Sequence, residues 1–176
     1  IHFLFLSRML YNKGLNELKE AVSLLREETE NFTLTLAGEI DKGNPQAVSE
    51  TWMKESFDSP CCEWIGYEEE IVDLFEKVDV VILPSYYREG IPHCLIEALA
   101  ASKPIITTDM PGCREVIHEN GILIPPKNSN ALYTAMFEMI NTDKLKIWSE
   151  NSFQLASRFD IHDVNQKTLS VYGVSV

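Results

Sequence analysis

The chain has 176 residues, which is long enough for one well-buried α/β domain and short for two. Its 15 lysines and arginines against 27 aspartates and glutamates give a formal net charge of -12. Because this charge repels nucleic acids and anionic lipid surfaces, an anionic ligand must be met by a local cluster of positive groups.

Short apolar runs alternate with helical patterns along the whole chain. The runs predict strands at 2–7, 33–37, 62–65, 80–83, 105–108 and 122–124. Apolar spacing predicts helices at 15–25, 46–57, 69–76, 92–101, 129–140, 144–156 and 162–172, with a further short helix ending at His118. The acidic run 68–70 is predicted in the first turn of the third helix, where the helix dipole favours negative charge.

This alternation predicts a Rossmann-like, doubly wound, six-stranded parallel sheet with right-handed crossovers. In the strand order 3-2-1-4-5-6, strands one and four are neighbours at the switch point of the sheet. The loop 7–14 follows strand one, and the loop 85–90 follows strand four. We therefore expect both loops to border the crevice in which such sheets bind their ligands.

Charged groups cluster in and after these two loops. Arg8 and Lys13 lie after strand one, whereas Glu89 lies after strand four and Glu97 lies within the following helix. Guanidinium and ammonium groups bind phosphate, and free backbone amides at a helix start, here 93–95, can donate to phosphate oxygens. Taken alone, Glu97 also fits an ordinary carboxylate on a helix surface.

The run Glu89 to Glu97, EGIPHCLIE, resembles the E-x7-E motif of retaining glycosyltransferases of the GT-B fold, especially family 4. The resemblance covers nearly the whole chain, but only the C-terminal, donor-binding domain of that family. Ser102 departs from it, since the family usually has glycine there, and so does Pro92, where glycine is common. We therefore expect residues 1–176 to form a nucleotide-sugar-binding domain excised from a longer protein that has an N-terminal acceptor domain.

The resemblance implies a role for each site residue. Arg8 and Lys13 would hold the diphosphate, Glu97 would accept from ribose hydroxyls, and Glu89 would accept from hydroxyls of the transferred sugar. Further donor contacts are expected from a second set of residues: Gly38, Tyr67, Gly90, Ile91, His93, Cys94 and Leu95. No cluster of metal ligands is visible in the sequence, so we expect no metal and no cofactor, as the resemblance to GT-B enzymes also implies. Arg8, Lys13 and the helix amides are the candidates for stabilising the charge that develops on the leaving phosphate.

The narrower resemblance of 84–90 and 107–115 is to bacterial enzymes that add N-acetylated hexosamines to lipid-diphosphate-linked glycans. It implies a UDP-N-acetylhexosamine or UDP-hexose donor, retaining transfer, and a glycan or lipid-linked acceptor. No span of about 20 apolar residues and no leader is visible. We therefore expect a cytoplasmic protein, and the full-length enzyme could also lie at the periphery of the inner membrane.

Three other functions are compatible with parts of the pattern. A glycoside hydrolase also needs two carboxylates, but Glu89 and Glu97 lie near cations and a helix start, which favour the ionised form of both. A nicotinamide dehydrogenase fits the sheet, but the loop 7–14 has no G-x-G-x-x-G. A sugar-nucleotide binding module without activity of its own is the remaining alternative.

The four cysteines are Cys61, Cys62, Cys94 and Cys113, and none is spaced as C-x-x-C. This spacing predicts reduced, mostly buried thiols rather than disulfides or a zinc site. The adjacent His93 and Cys94 are interpreted as ordinary motif residues rather than as a metal site or a nucleophile.

Overall fold

The computed structural model describes residues 1–173 of the chain, so the last three residues of the predicted domain lie outside the described part. Six strands form one parallel sheet: β1 (His2–Leu6), β2 (Thr33–Ala37), β3 (Cys62–Gly66), β4 (Val80–Leu83), β5 (Ile105–Thr108) and β6 (Gly121–Ile124). Seven α-helices flank it: α1 (Leu15–Glu28), α2 (Glu50–Ser56), α3 (Ile71–Glu76), α4 (His93–Ala100), α5 (Ser129–Asn141), α6 (Leu145–Ala156) and α7 (Ile161–Val171). Short 3-10 helices lie at Tyr11–Lys13, Arg114–Val116 and Ser157–Phe159.

The strand order is β3-β2-β1-β4-β5-β6, which confirms the predicted sheet. All five strand pairs are parallel. The central strands form the core: Phe3, Leu4 and Phe5 of β1 and the whole of β4 are buried. Apolar side chains on both faces of these strands must be covered, and helices cover them, with α1 packed on α5 and α4 packed on α6.

Several predicted helix starts lie too early in the chain. The helix predicted from 46 begins at Glu50, because Ser49 caps it by accepting a hydrogen bond from the amide of Trp52 at 3.0 Å. Residues 46–48 are not helical, and the Gln46 carbonyl accepts from the amide of Tyr11. Residues 46–48 form backbone hydrogen bonds with the loop after β1 instead of the hydrogen bonds of a first helical turn.

The acidic run 68–70 lies ahead of α3 rather than in its first turn. The Glu68 carboxylate accepts a hydrogen bond from the Glu70 amide at 3.0 Å, and this local turn delays the helix until Ile71. Pro92, predicted as a first helical residue, is instead the N-cap of α4 with an extended ψ of 129°. The short helix predicted before His118 is a single 3-10 turn.

The cysteines are less buried than the sequence predicts. Cys113 is buried, whereas Cys61, Cys62 and Cys94 are only partly buried. No helix within residues 1–173 combines the length and the apolar character needed to cross a membrane.

Candidate functional site

The candidate site lies where β1 and β4 run side by side, with Phe3 opposite Val80. The loops that follow these strands are joined by hydrogen bonds. The carbonyl of Asn12 accepts from the Tyr86 amide at 3.0 Å and from the Ser85 hydroxyl at 3.4 Å. Two segments more than 70 residues apart in sequence therefore meet at the carboxyl edge of the sheet, the position in which doubly wound sheets bind ligands.

Gly14 allows this close approach. Its φ is +86°, and a Cβ atom at this position would lie 2.3 Å from the Pro84 carbonyl oxygen. Only glycine adopts this left-handed backbone conformation readily and has no Cβ atom that would clash with Pro84. The end of the Tyr11–Lys13 turn is thereby pressed against the end of β4, which carries Lys13 toward the β4–α4 loop.

Lys13 is a buried cation in direct contact with a carboxylate. It is only 5% exposed, its ammonium group contacts the carboxylate of Glu89, and it lies 5.7 Å from the centre of the Tyr87 ring. A lysine is rarely this buried without a partner, and burial strengthens its interaction with any anion that replaces the partner. The structure therefore brings Lys13 and Glu89 into contact.

The loop after β5 packs against the backbone of Glu89 and Gly90. Gly112 has a φ of +87°, and a Cβ atom here would lie 2.3 Å from the Gly90 carbonyl oxygen and 2.7 Å from that of Glu89. The Pro111-Gly112 pair was not among the residues predicted for the site, and only this contact with the loop after β4 connects it with Glu89. The hydroxyl of Thr108 also donates to the Ser85 carbonyl, which ties β5 to the start of the same loop.

The start of α4 lies beside this ion pair. Among the described residues, the backbone amides of His93 and Cys94 have no hydrogen-bond acceptor, and they lie at the positive end of the helix dipole. The expectation of a free amide at Leu95 is wrong, because this amide donates to the Pro92 carbonyl at 3.0 Å. The side chain of Leu95 is fully buried in the core.

The side chain of Cys94 is close to the charges of the site but is not poised as a nucleophile. Burial raises the pKa of its thiol to about 12, and the nearby Lys13 ammonium opposes this effect only in part. A thiol with so high a pKa remains protonated at neutral pH, and the thiolate is the reactive form.

Arg8 follows β1 as predicted but does not contact Glu89. Its side chain is 58% exposed, and its guanidinium donates to the Asp41 carboxylate at 2.7 Å. An ion pair this exposed contributes at most about 1 kcal/mol, so an incoming phosphate can compete for the guanidinium at little cost.

Glu97 is exposed on the face of α4 opposite to the buried Leu95. It borders a groove of about 540 Å³ between α3 and α4, whose other walls include Ile71, Val72 and Ala100. The groove offers apolar surface next to two exposed carboxylates, Glu76 and Glu97, and to Lys103. Glu89 lies on the loop ahead of α4, whereas Glu97 is the fifth of the eight residues of the helix.

Gly38 and Tyr67 both follow strands on the same edge of the sheet. Gly38 has a clear packing role, because a Cβ atom there would lie 1.9 Å from the Ser7 carbonyl oxygen. Its own carbonyl accepts from the indole nitrogen of Trp64 at 3.0 Å. Tyr67 is 65% exposed, so its ring face is open to a planar ligand.

Sequence reasoning missed two buried oxygens near the loop after β1. Within residues 1–173, Oδ1 of Asn12 and Oε2 of Glu17 are buried without a hydrogen-bond partner. Burial raises the pKa of Glu17 above its ordinary value. Nothing in the helical pattern of α1 separates Glu17 from its exposed neighbours, so only the packing of the loops reveals it.

Residues 1–154 match the family model described as glycosyl transferases group 1. The chain belongs to this family. It is 31% identical over 172 residues to the N,N'-diacetylbacillosaminyl-diphospho-undecaprenol alpha-1,3-N-acetylgalactosaminyltransferase of Campylobacter jejuni, with 96% of this chain and 43% of that protein covered. It is 25% identical over 182 residues to a glycogen synthase of Mycobacterium tuberculosis, with 96% of this chain and 41% of that protein covered.

Solved glycosyltransferase structures share the fold. The crystal structure of Anabaena HepE in complex with UDP superposes with a TM-score of 0.84 at 23% identity, over 98% of this chain and 48% of that one. A glycosyltransferase from Rickettsia africae gives a TM-score of 0.83 at 24% identity, over 97% of this chain and 46% of that one. The predicted Rossmann-like six-stranded parallel sheet, as in GT-B glycosyltransferases, is confirmed, and the chain spans less than half the length of these relatives.

Proposed function

We propose that this domain binds a nucleotide sugar and serves as the donor half of a retaining glycosyltransferase. The observation that supports this most directly is the buried Lys13, whose ionic partner among residues 1–173 is the carboxylate of Glu89. A buried ammonium at the switch point of a parallel sheet is a strong binding group for a diphosphate.

The diphosphate is proposed to lie between Lys13 and the start of α4. The amides of His93 and Cys94 donate to phosphate oxygens there, while Lys13 supplies charge. Arg8 joins after it leaves Asp41, and the exposure of that ion pair makes the exchange inexpensive. When the sugar–phosphate bond breaks, negative charge grows on the leaving phosphate, and these fixed positive groups stabilise it more than they stabilise the bound donor.

The sugar and the nucleoside are proposed to lie on opposite sides of this diphosphate. Glu89 accepts from hydroxyls of the transferred sugar, and Glu97 accepts from the ribose beside the α3–α4 groove. The name of the Campylobacter jejuni relative, an N-acetylgalactosaminyltransferase acting on a lipid diphosphate, supports UDP-N-acetylhexosamine as the donor and a lipid-linked glycan as the acceptor. UDP-hexose is the second donor to test.

Donor binding without a metal is part of the proposal, because Lys13 and the helix amides provide the positive charge that a divalent cation would otherwise bring. Transfer itself needs an acceptor site. Since this chain spans 43% of its Campylobacter jejuni relative, we propose that the domain alone binds the donor and does not transfer the sugar.

Calorimetry with UDP, UDP-N-acetylglucosamine and UDP-glucose in the presence of EDTA tests the proposal. Lys13→Met, which keeps the stem and removes the charge, should weaken UDP binding by about 1.5–3 kcal/mol, or roughly 10-fold to 150-fold. Lys146→Met, on the exposed surface of α6, changes the net charge equally and should leave the affinity within about twofold. Binding that strictly requires a divalent cation, or equal affinities for the two variants, would contradict the proposed site.

A further inference from the structure

Two adjacent thiols lie at the opposite end of the sheet from the candidate donor site. Cys61 ends the turn before β3, and Cys62 is the first residue of the strand. Their sulfur atoms are 3.8 Å apart, and both side chains are partly exposed. The hydroxyl of Ser59 lies 3.1 Å from the sulfur of Cys61.

The backbone holds both cysteines in place. The amide of Leu34 donates to the Cys61 carbonyl at 2.7 Å, and the amide of Cys62 donates to the Ser59 carbonyl at 2.9 Å. Cys61 lines an open cavity of about 630 Å³ together with Arg26, Glu30 and other residues. A reagent of moderate size can therefore reach Cys61 without unfolding the strand, and the partly buried Cys62 lies directly beside it.

A direct disulfide between these residues is disfavoured. Consecutive residues joined by a trans peptide have Cα atoms about 3.8 Å apart. Disulfides usually need about 4.4–6.8 Å between Cα atoms, so closing the bond would strain the backbone. The pair is expected to remain reduced rather than to form this bridge.

An atom placed between the sulfur atoms meets no such strain. With bonds of about 2.3 Å to each sulfur, the length of a zinc–thiolate bond, sulfur atoms 3.8 Å apart subtend about 110° at the bridging atom. This angle is close to tetrahedral. The two thiols are therefore already spaced for one thiophilic atom to bind both.

The number of ligands decides which atom suits the pair. In the described residues 1–173, no third histidine, cysteine, aspartate or glutamate joins a cluster that could hold a metal ion. A tetrahedral metal would keep half of its positions unfilled by the protein. An electrophile that carries its own third substituent needs only two thiols.

We infer that Cys61 and Cys62 form a two-thiol site that captures thiophilic electrophiles of the monosubstituted trivalent arsenical type. In the capture of phenylarsine oxide, two As–S bonds form and two S–H bonds break. The arsenic-bound oxygen leaves as water with both thiol protons, so no atom is oxidised or reduced. The site is independent of nucleotide-sugar binding, because it lies at the amino end of β3 whereas the donor site lies at the carboxyl ends of β1 and β4.

Ordinary alkylation should compete poorly with this capture. Burial, together with the adjacent Cys61, raises the pKa of the Cys62 thiol to about 12, so little Cys62 thiolate is present at neutral pH. A bridging electrophile instead gains two bonds to sulfur atoms that are held together. The adduct should be stable to a monothiol and should be removed by a small dithiol, which competes with the same chelate geometry.

The test is mass spectrometry of the intact chain after treatment with one equivalent of phenylarsine oxide in excess 2-mercaptoethanol. We expect one adduct, with the mass of the reagent minus one water, in the unmodified chain and in Cys94→Ser. Cys61→Ser and Cys62→Ser should each lose it. An adduct that survives in Cys61→Ser, or no monothiol-resistant adduct in the unmodified chain, would overturn the inference.

A protection experiment needs no variant and so does not depend on the folding of the serine variants. After capture, the chain is unfolded in urea, alkylated with iodoacetamide and digested. Cys94 and Cys113 should be alkylated, whereas Cys61 and Cys62 should be protected. Protection of Cys94 and Cys113 instead would assign the capture to the wrong pair and refute the site.

Discussion

The Glu89→Gln variant distinguishes two expectations for UDP binding: one from the role that the family resemblance assigns to Glu89, and one from its contact with Lys13 in the structure. If Glu89 touches only the transferred sugar, its loss should leave UDP binding unchanged. In the structure, however, its carboxylate contacts the ammonium of Lys13, the group proposed to bind the diphosphate. We therefore expect Glu89→Gln to tighten UDP binding, because the variant removes an anion that repels the diphosphate and occupies its cation.

The size of the effect follows from the burial of the pair. A phosphate bound to Lys13 would lie about 5 Å from the Glu89 carboxylate, where two unit charges repel by about 0.8 kcal/mol in water and about 3 kcal/mol at an effective dielectric constant of 20. The Glu89 side chain is 26% exposed, so its surroundings lie between these limits. Tightening by about 1–2 kcal/mol, or roughly 5-fold to 30-fold, is expected.

The same change should destabilise the ligand-free domain. Removing one member of a buried ion pair costs about 3–5 kcal/mol, and partial exposure of Glu89 reduces this to roughly 1–3 kcal/mol. For a domain of this length, the melting temperature should fall by several degrees. UDP should restore more of this loss in the variant than in the unmodified chain, since it supplies Lys13 with a new partner.

Calorimetry with UDP in EDTA measures the affinity, and thermal unfolding with and without UDP measures the stability. Glu97→Gln is the matched control, because it removes the same charge from an exposed position proposed to contact the ribose. It should weaken UDP binding and leave the melting temperature nearly unchanged. Equal or weaker UDP binding in Glu89→Gln, together with an unchanged melting temperature, would refute the proposed competition for Lys13.

Three further changes test the backbone and the buried carboxylate. Gly112→Ala should lower the free energy of unfolding by at least about 1–3 kcal/mol in urea titrations, because φ is +87° and the new Cβ meets the Gly90 carbonyl. Ser102→Gly should raise the free energy of unfolding by about 0.5–1 kcal/mol, because Ser102 has a left-handed φ of 59° that costs more than the extra entropy that glycine gives to the unfolded chain. An unchanged or lower free energy of unfolding would contradict this. Glu17→Gln should stabilise the domain at pH 7.5. Burial raises the pKa of Glu17, so the unmodified chain loses stability as the pH rises through that pKa, whereas the neutral glutamine does not ionise. The stability gained by the variant over the unmodified chain should therefore shrink toward pH 5.

Patterns within single segments predicted much of this protein. Each apolar run between turn residues became a strand, because a strand buried on both faces must be apolar throughout, as β4 is. The alternation of strands and helices then required crossovers of one hand, which restricted the sheet to few orders. The meeting of Arg8, Lys13 and Glu89 at one edge follows from that order, since all three lie after the carboxyl ends of neighbouring strands.

Predictions of helix starts from local patterns were wrong where backbone groups form hydrogen bonds that the local pattern does not show. The amide of Leu95 was expected to be free, but the Pro92 carbonyl accepts from it, and only the extended ψ of Pro92 shows that the helix begins one residue later than predicted. The start of α2 was placed too early because a hydrogen bond between Gln46 and Tyr11 joins segments that no single window contains.

The pairing of charges was decided by the tertiary structure alone. By sequence, Arg8 and Lys13 are equivalent loop cations, yet one is exposed on Asp41 and the other is buried on Glu89. The difference arises because Gly14 lies against the carbonyl of Pro84, so that the adjacent Lys13 is carried into the interior while Arg8 stays exposed. Such contacts depend on the space between two packed backbones, and this space is set when the sheet forms rather than by the residues of either loop.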